Sequence, residues 1–149
     1  MEIERKFKIK SLPDLDKYEY RVIEQGYLCT DPVMRVRKED DKYYMTYKGR
    51  GFLEREEYNL PLNKESYEHL VKKADGVIIT KNRYLIPYGE HTIELDVFKG
   101  AHEGLIIAEV EFETKEKALA FEAPDWFGDD VTEDPSFTNS YLSNNPLKK

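Results

Sequence analysis

Charged residues recur at every second position in the strand-like segments of this chain, from residues 2–6 (EIERK) to residues 109–111 (EVE). Successive side chains of a strand point to opposite faces, so each segment places its alternating charges on one face. A solvated face explains this pattern in any single antiparallel strand. Together the segments collect seven acids and seven bases on that face: Glu2, Glu4, Lys6, Arg35, Arg37, Lys48, Arg55, Glu57, Lys81, Arg83, Glu94, Asp96, Glu109 and Glu111.

Eight segments are predicted to be strands because they alternate apolar and polar residues between turn-forming stretches. They cover residues 2–9, 21–30, 33–38, 42–48, 53–60, 77–87, 92–98 and 105–112. Helical spacing begins at Asn63, with Gly76 expected just beyond that helix, and a second helix is predicted over 115–121. The short connections predict an antiparallel meander, and the aromatic residues of the tail, 125–149, are expected to tie it to the body.

The apolar face of these strands must also be covered. A flat sheet would leave that task to two short helices, which are too small for it. A barrel with its charged face inward leaves the apolar face outside for the helices, the tail or a second subunit. The sequence therefore predicts a mainly β (α+β) fold: an eight-stranded antiparallel β-barrel tunnel with a charged lumen and short flanking helices, in a single domain over residues 1–149.

A lumen with both signs of charge indicates the kind of ligand it holds. Isolated buried charges cost several kcal/mol each, so acids and bases must pair, hold water or meet a charged ligand. Carboxylates in Glu-x-Glu pairs suit Mg²⁺ or Mn²⁺, while Arg-x-Arg and Lys-x-Arg pairs suit phosphate oxygens. This combination predicts a site for a metal-bound polyphosphate. His69, His91 and His102 fall on a helix and in turns, where we expect surface positions and no zinc site.

Net charge and cysteine content restrict the partners and the compartment. The net charge of −7 is unfavourable for a general nucleic-acid binder, which usually carries a basic patch. Cys29 is the only cysteine, which excludes an internal disulfide and favours a reducing cytoplasm. No segment approaches the 18 or more apolar residues of a membrane span. We therefore expect a cytoplasmic protein without nucleic-acid or membrane partners.

The N-terminal Glu2-x-Glu4-x-Lys6 resembles the signature of the CYTH superfamily, the triphosphate tunnel metalloenzymes. The later charged motifs follow in the order of that family: Arg35-x-Arg37, Lys48, Arg55-Glu56-Glu57, Lys81-x-Arg83, Glu94-x-Asp96 and Glu109-x-Glu111. Residues 126–134 are similar to the C-terminal segment of the short bacterial members. The resemblance spans nearly the whole chain and implies an eight-stranded barrel around a tunnel. One departure is Ser140, because some members carry a lysine at the matching position.

The resemblance also implies a division of roles among the charged residues. It assigns Mg²⁺ or Mn²⁺ binding to Glu2, Glu4, Asp96, Glu109 and Glu111. It assigns triphosphate binding to Lys6, Arg35, Arg37, Lys48, Lys81 and Arg83. Supporting positions are expected for Arg55, Glu57 and Glu94, of which the two glutamates either orient the bases or touch a metal. Contact with the attacking water is expected from Lys6, Lys81 or Tyr27.

Three functions are compatible with this pattern. The first is a metal-dependent inorganic triphosphatase that converts tripolyphosphate to diphosphate and phosphate, since so short a chain leaves little length for recognising a base or thiamine. The second keeps the fold but hydrolyses a nucleoside or thiamine triphosphate, or cyclises ATP as class IV adenylyl cyclases do. The third is a non-enzymatic polyphosphate-binding module, which the many paired carboxylates disfavour. The resemblance also favours a homodimer over a monomer.

Overall fold

Ten strands make up most of the computed structural model, which describes residues 1–147. The strands are β1 (Glu2–Ile9), β2 (Tyr20–Thr30), β3 (Val33–Glu39), β4 (Lys42–Lys48), β5 (Glu54–Arg55), β6 (Glu57–Leu62), β7 (Asp75–Tyr88), β8 (His91–Lys99), β9 (Ile106–Glu111) and β10 (Phe127–Asp130). The helices are α1 (Lys64–Val71), α2 (Lys115–Ala120) and α3 (Asn139–Asn144), and 3₁₀ turns cover Leu15–Lys17, Gly100–His102 and Pro135–Phe137. Within residues 1–147, every helix is too short or too polar to cross a bilayer.

The strands follow the order β10-β1-β9-β8-β7-β2-β3-β4-β6, and all neighbours are antiparallel. All eight predicted strands are present. The number rises to ten because the predicted strand over 53–60 is divided at Glu56 and because the tail adds β10. The predicted single domain over 1–149 stays a prediction, and its last two residues lie outside the described part of the chain.

The divided strand brings the two sides of the sheet together. β5 pairs with β1, whereas β6, one residue further along the chain, pairs with β4. Only two residue pairs join β5 to β1, Glu2 with Arg55 and Ile3 with Glu54. The ladder is therefore not a continuous closed ring, but the sheet curls round into a tunnel-like fold.

Local sequence signals explain two of the helices. The side chain of Asn63 accepts a hydrogen bond from the backbone N–H of Ser66 and so caps α1. That helix ends at Val71, earlier than predicted, and Gly76 already belongs to β7. Helix α2 lies where it was predicted. Helix α3 was not predicted, because a helix of six residues is too short for apolar periodicity to show.

The outward apolar face is covered from within the chain. Buried residues of β1, β8 and β9, among them Phe7, Leu95 and Val110, pack together with Phe127 of the tail. Phe121, just after α2, lies on this cluster. The tail therefore contacts the body as expected, although Tyr141 is exposed.

A second apolar cluster lies on the inward face, at one end of the tunnel. It contains Tyr27, Ile79 and Phe98, and Leu142 of α3 completes it. His102 has no exposed surface, and its Nε2 lies 2.6 Å from the carbonyl oxygen of Leu142. The expectation of a surface position is therefore wrong for His102, because its turn folds beneath α3. This end of the tunnel is filled by the C-terminal helix.

A glycine on β7 tests how closely α3 packs. Gly76 has φ +68°, and a Cβ there would overlap the carbonyl oxygen of Ser143. We expect Gly76→Ala to lower the free energy of unfolding by about 2–4 kcal/mol in urea titrations, since left-handed backbone and overpacking both add cost. Gly89→Ala is the matched control, because φ is +60° there and a Cβ meets nothing within 4 Å. Equal losses in the two variants would contradict the close packing of α3 on β7.

Candidate active site

A cavity of about 350 Å³ lies inside the curled sheet. Twelve of the fourteen predicted inward charges line it, and the two exceptions are Lys81 and Asp96. The strand register explains this convergence, because Glu4 lies opposite Glu111 and Lys6 opposite Glu109 on neighbouring strands. Alternation then points each of these side chains to the same face.

Three carboxylates meet at one side of the cavity. Oxygens of Glu2, Glu4 and Glu111 all lie within 4.8 Å of one another. Burial, followed by the negative charges of Glu109 and Glu2, raises the pKa of Glu4 to about 8. Burial and the nearby acids, Glu94 foremost, raise the pKa of Glu111 to about 7. Such a group of oxygen donors fits a hard divalent cation, because the raised pKa values of Glu4 and Glu111 indicate that the nearby bases do not fully compensate these two carboxylates.

The other two predicted metal ligands are occupied by bases. Glu109 lies 3.5 Å from Lys6 and 3.0 Å from Arg83, and despite its burial these cations hold its pKa well below the ordinary value. Asp96 accepts hydrogen bonds of 2.8 and 2.9 Å from Arg83 and lies 2.7 Å from Nζ of Lys81. It has no exposed surface. The structure therefore brings three of the five predicted ligands together, keeps Glu109 beside them in the wall, and places Asp96 behind the wall.

Two arginines on β3 form the opposite wall. Arg35 donates a hydrogen bond to Thr46 and makes no ion pair within residues 1–147, and its buried Nε has no hydrogen-bond partner. Arg37 donates through Nε to Gln25 at 2.6 Å, and its closest carboxylate is that of Glu39, at 3.7 Å. Burial and repulsion by Arg35 and Arg83 lower the pKa of Arg37. This wall, Arg35 and Arg37, keeps positive charge and N–H donors available to an anion.

The remaining predicted phosphate-binding bases are paired with acids. Lys48 lies 3.1 Å from Glu2 and 3.4 Å from Glu57, and although burial opposes it, the charge of Lys48 helps keep the pKa of Glu2 below its ordinary value. Arg83 contacts Asp96, Glu109 and Glu94 and is thus held by three carboxylates. These bases connect the acidic and basic sides of the cavity.

The predicted supporting residues each contact one of these charged groups. Arg55 lies 3.4 Å from Glu2. Glu57 lies 3.4 Å from Lys48, and Glu94 lies 3.4 Å from Arg83. All three line the cavity.

The three candidates for contacting water lie at different depths. Lys6 lines the cavity and donates a hydrogen bond of 3.1 Å to the carbonyl oxygen of Phe137. Tyr27 also lies in the wall. Lys81 is fully buried behind it, where Nζ donates to Asn139 at 3.0 Å in addition to its ion pair with Asp96. Burial lowers the pKa of Lys81 to about 7, against the opposing charge of Asp96.

Sequence reasoning missed several residues of the wall. Those contributed by strands or by the tail are Val33, Glu39, Tyr44, Asn59, Thr138, Asn139 and Ser140. Extending the period-two pattern along each strand would have found the first four, because each shares its strand's inward face. Of the three residues of the tail, Ser140 was noted only as a departure from the family pattern and was given no role. No local pattern marks these residues, which reach the cavity through the packing of α3.

The fold and the cavity together define a class of β-tunnel protein. Its lumen is lined by a carboxylate cluster on one side and by the arginine wall on another. The chain belongs to the CYTH domain family, whose model matches residues 1–136. It is 39% identical over 147 residues to an inorganic triphosphatase of Nitrosomonas europaea, covering 95% of this chain and 96% of that protein. An inorganic triphosphatase of Acetivibrio thermocellus is 38% identical over 154 residues, covering 99% and 96%. A crystal structure of an inorganic triphosphatase aligns with a TM-score of 0.71 and 35% identity, covering 96% and 94%.

Proposed function

We propose that this protein is a metal-dependent inorganic triphosphatase that hydrolyses tripolyphosphate to diphosphate and phosphate. The observation that carries the proposal is the polarity of the cavity, with Glu2, Glu4 and Glu111 on one side and the wall of Arg35 and Arg37 on the other. A metal-bound chain of phosphates needs carboxylates to hold the metal and arginines to bind the phosphate oxygens. The naming of the two relatives as inorganic triphosphatases supports the same conclusion.

In this proposal Glu2, Glu4 and Glu111 hold Mg²⁺ or Mn²⁺, with Glu109 able to join them from the adjacent wall. The metal, when bound, supplies charge neutralisation at the phosphate oxygens and at the diphosphate leaving group. Asp96, predicted as a ligand, is proposed instead to fix Lys81 and Arg83 through its ion pairs. Unchanged Mg²⁺ affinity after substitution of Asp96 would support this assignment. A large loss of Mg²⁺ affinity would indicate that Asp96 is a metal ligand after all.

The bases of the cavity are proposed to bind and orient the substrate. Arg35 and Arg37 donate to phosphate oxygens, and Lys6, Lys48 and Arg83 complete the positive surroundings from their positions in the wall. This fixes the terminal phosphorus for in-line attack by water.

The attacking water is proposed to contact Lys6 or Tyr27, because both line the cavity. Lys81 lies behind the wall and is proposed to act through Asn139, which accepts its hydrogen bond and lines the cavity. The pH dependence of kcat in Tyr27→Phe and Lys81→Met variants tests these roles, and an unchanged profile in both would leave Lys6 as the remaining candidate.

The proposed function is tested by incubating the purified protein with tripolyphosphate, ATP or thiamine triphosphate, each with Mg²⁺, Mn²⁺ or EDTA. We expect phosphate and diphosphate from tripolyphosphate only when a metal is present. Faster turnover of ATP or thiamine triphosphate would indicate a different triphosphatase, and cyclic AMP as the main product would indicate a cyclase. Tight tripolyphosphate binding without turnover would indicate a binding module.

Arg37→Ala is expected to raise KM for tripolyphosphate about tenfold to a hundredfold while kcat changes much less, because it removes charged hydrogen bonds to the bound phosphate. Steady-state kinetics measures both parameters. Arg50→Ala is the matched control, since Arg50 pairs with Asp31 on the exposed surface and does not line the cavity. An unchanged KM in Arg37→Ala would remove its assignment to phosphate binding.

Location and assembly remain part of this proposal. We propose a cytoplasmic protein, as its single cysteine favours, that acts on a small-molecule triphosphate and binds no nucleic acid. We also propose a homodimer, supported by exposed apolar residues such as Tyr58 and Leu60 on β6. Sedimentation velocity tests the assembly, and a monomer at micromolar concentration would contradict it.

A further inference from the structure

A neutral amide lies behind the arginine wall. Gln25 is the only glutamine of the chain, and its side chain on β2 is completely buried without lining the cavity. Its position follows from the register, because Gln25 lies directly opposite Arg37 on β3. The amide oxygen accepts a hydrogen bond of 2.6 Å from Nε of Arg37.

The other end of the same amide reaches the C-terminal helix. Nε2 of Gln25 donates to Oδ1 of Asn139 at 3.1 Å, and that oxygen also accepts the 3.0 Å hydrogen bond from Lys81. Nε2 additionally lies 3.5 Å from the hydroxyl of Tyr27. Gln25 therefore connects Arg37, on the phosphate side, to Asn139 and to the buried lysine.

The neutrality of this partner matters physically. Other bases of the cavity contact a carboxylate more closely than Arg37 contacts Glu39, as Lys48 does Glu2 at 3.1 Å and Arg83 does Asp96 at 2.8 Å. An amide oxygen fixes the direction of the Arg37 guanidinium equally well but adds no negative charge, which leaves the 3.7 Å contact with Glu39 as the closest carboxylate of Arg37. A guanidinium that is oriented in advance loses less conformational freedom when it binds phosphate.

We propose that Gln25 is a positioning residue for substrate binding: it aims the Arg37 guanidinium into the cavity without neutralising it, and through Asn139 it ties that arginine to the C-terminal helix. The inference rests on the proposed function, because it deepens the assignment of Arg37 to phosphate binding. Gln25 itself does not touch the substrate.

Two variants separate orientation from charge. Gln25→Met keeps the length of the side chain but cannot accept the strong hydrogen bond, and we expect it to weaken tripolyphosphate binding about tenfold with a smaller change in kcat. Gln25→Glu retains an acceptor for Arg37 but cancels its charge, and we expect a loss of binding at least as large. A merely structural role predicts that Gln25→Glu binds better than Gln25→Met.

A double-mutant cycle with Arg37→Ala supplies the decisive readout. We expect Gln25→Met to have almost no further effect on KM once Arg37 is removed, because its contribution acts through that arginine. Fully additive effects would overturn the inference. Tyr67→Phe is the control for losing a part-buried hydrogen bond on the outer side of β2, since the Tyr67 hydroxyl donates to Glu24 at 2.8 Å. We expect that control to lower stability while leaving KM unchanged.

The same series separates the inference from the proposed function. Tripolyphosphate binding is measured by calorimetry in EDTA, and turnover is measured with Mg²⁺. Binding without turnover in the unsubstituted protein would overturn the proposed function alone, and the cycle on the dissociation constant would still test Gln25. Normal turnover with additive effects would overturn the inference alone.

Discussion

Glu4→Gln is expected to reduce metal-dependent turnover of tripolyphosphate at least about a thousandfold, which corresponds to about 4 kcal/mol of transition-state stabilisation. Glu4 is the clustered carboxylate whose pKa is raised furthest, to about 8, and it lies opposite Glu111 on the neighbouring strand. Replacement by an amide removes one negative charge and one strong oxygen donor from the proposed cation site. Steady-state assays across a range of Mg²⁺ and Mn²⁺ concentrations measure the loss.

A stability measurement distinguishes this loss from misfolding. Without a cation, burial and the charges of Glu109 and Glu2 disfavour ionised Glu4, so its folded-state pKa lies above the unfolded value. A raised acid pKa means that the group lowers stability increasingly as pH rises above its unfolded pKa. The isosteric amide should therefore make the metal-free protein more stable at pH 7, which urea titrations in EDTA would detect. Glu68→Gln on exposed α1 is the control, and we expect it to change neither the turnover nor the stability of the metal-free protein. Near-normal turnover in Glu4→Gln would refute the cation site.

Asp96→Asn is expected to lower the free energy of unfolding by about 3–5 kcal/mol, because it leaves two buried cations without their main partner. Lys81 and Asp96 are both fully buried, and Arg83 contacts the same carboxylate through two nitrogens. Since burial alone disfavours charged Lys81, removal of Asp96 should also lower the pKa of that lysine further. Urea titration in EDTA measures the stability change free of any effect of bound metal.

Asp31→Asn provides the surface counterpart of that experiment. It breaks the ion pair between Asp31 and Arg50. Both side chains are largely exposed, and surface pairs of this kind contribute little to stability. We expect no measurable change in unfolding for it. A similarly small effect of Asp96→Asn would show that the buried network behind the wall does not hold the tunnel together.

Much of the tunnel could be predicted from alternation alone. A strand has a side-chain period of two, so a charge at Glu2 predicts the face of Glu4 and Lys6 without any knowledge of the partners. The same rule, applied to Arg35 and Arg37, was sufficient to anticipate a lumen with both signs of charge. The resemblance to the CYTH superfamily, now established for residues 1–136, added the expected order of the motifs.

Alternation could not predict the depth of each side chain. Lys81 and Arg83 share one face of β7, yet only Arg83 lines the cavity, because α3 and the inward apolar cluster fill the tunnel at the level of Lys81. For the same reason Asp96, opposite Arg83 in the register, lies behind the wall while Glu94 lies in it. Depth depends on what the distant C-terminal segment covers.

The sequence by itself determined the strands, the face that each charge occupies and the opposite-charge character of the lumen, because these follow from local period and residue type. Only the tertiary structure decided that Glu2, Glu4 and Glu111 cluster while Asp96 does not, and that Gln25 orients Arg37. Those outcomes depend on cross-strand register, on the curl that brings β5 to β1, and on α3 entering one end of the tunnel. Each is set by contacts between residues far apart in the chain, which no local pattern records.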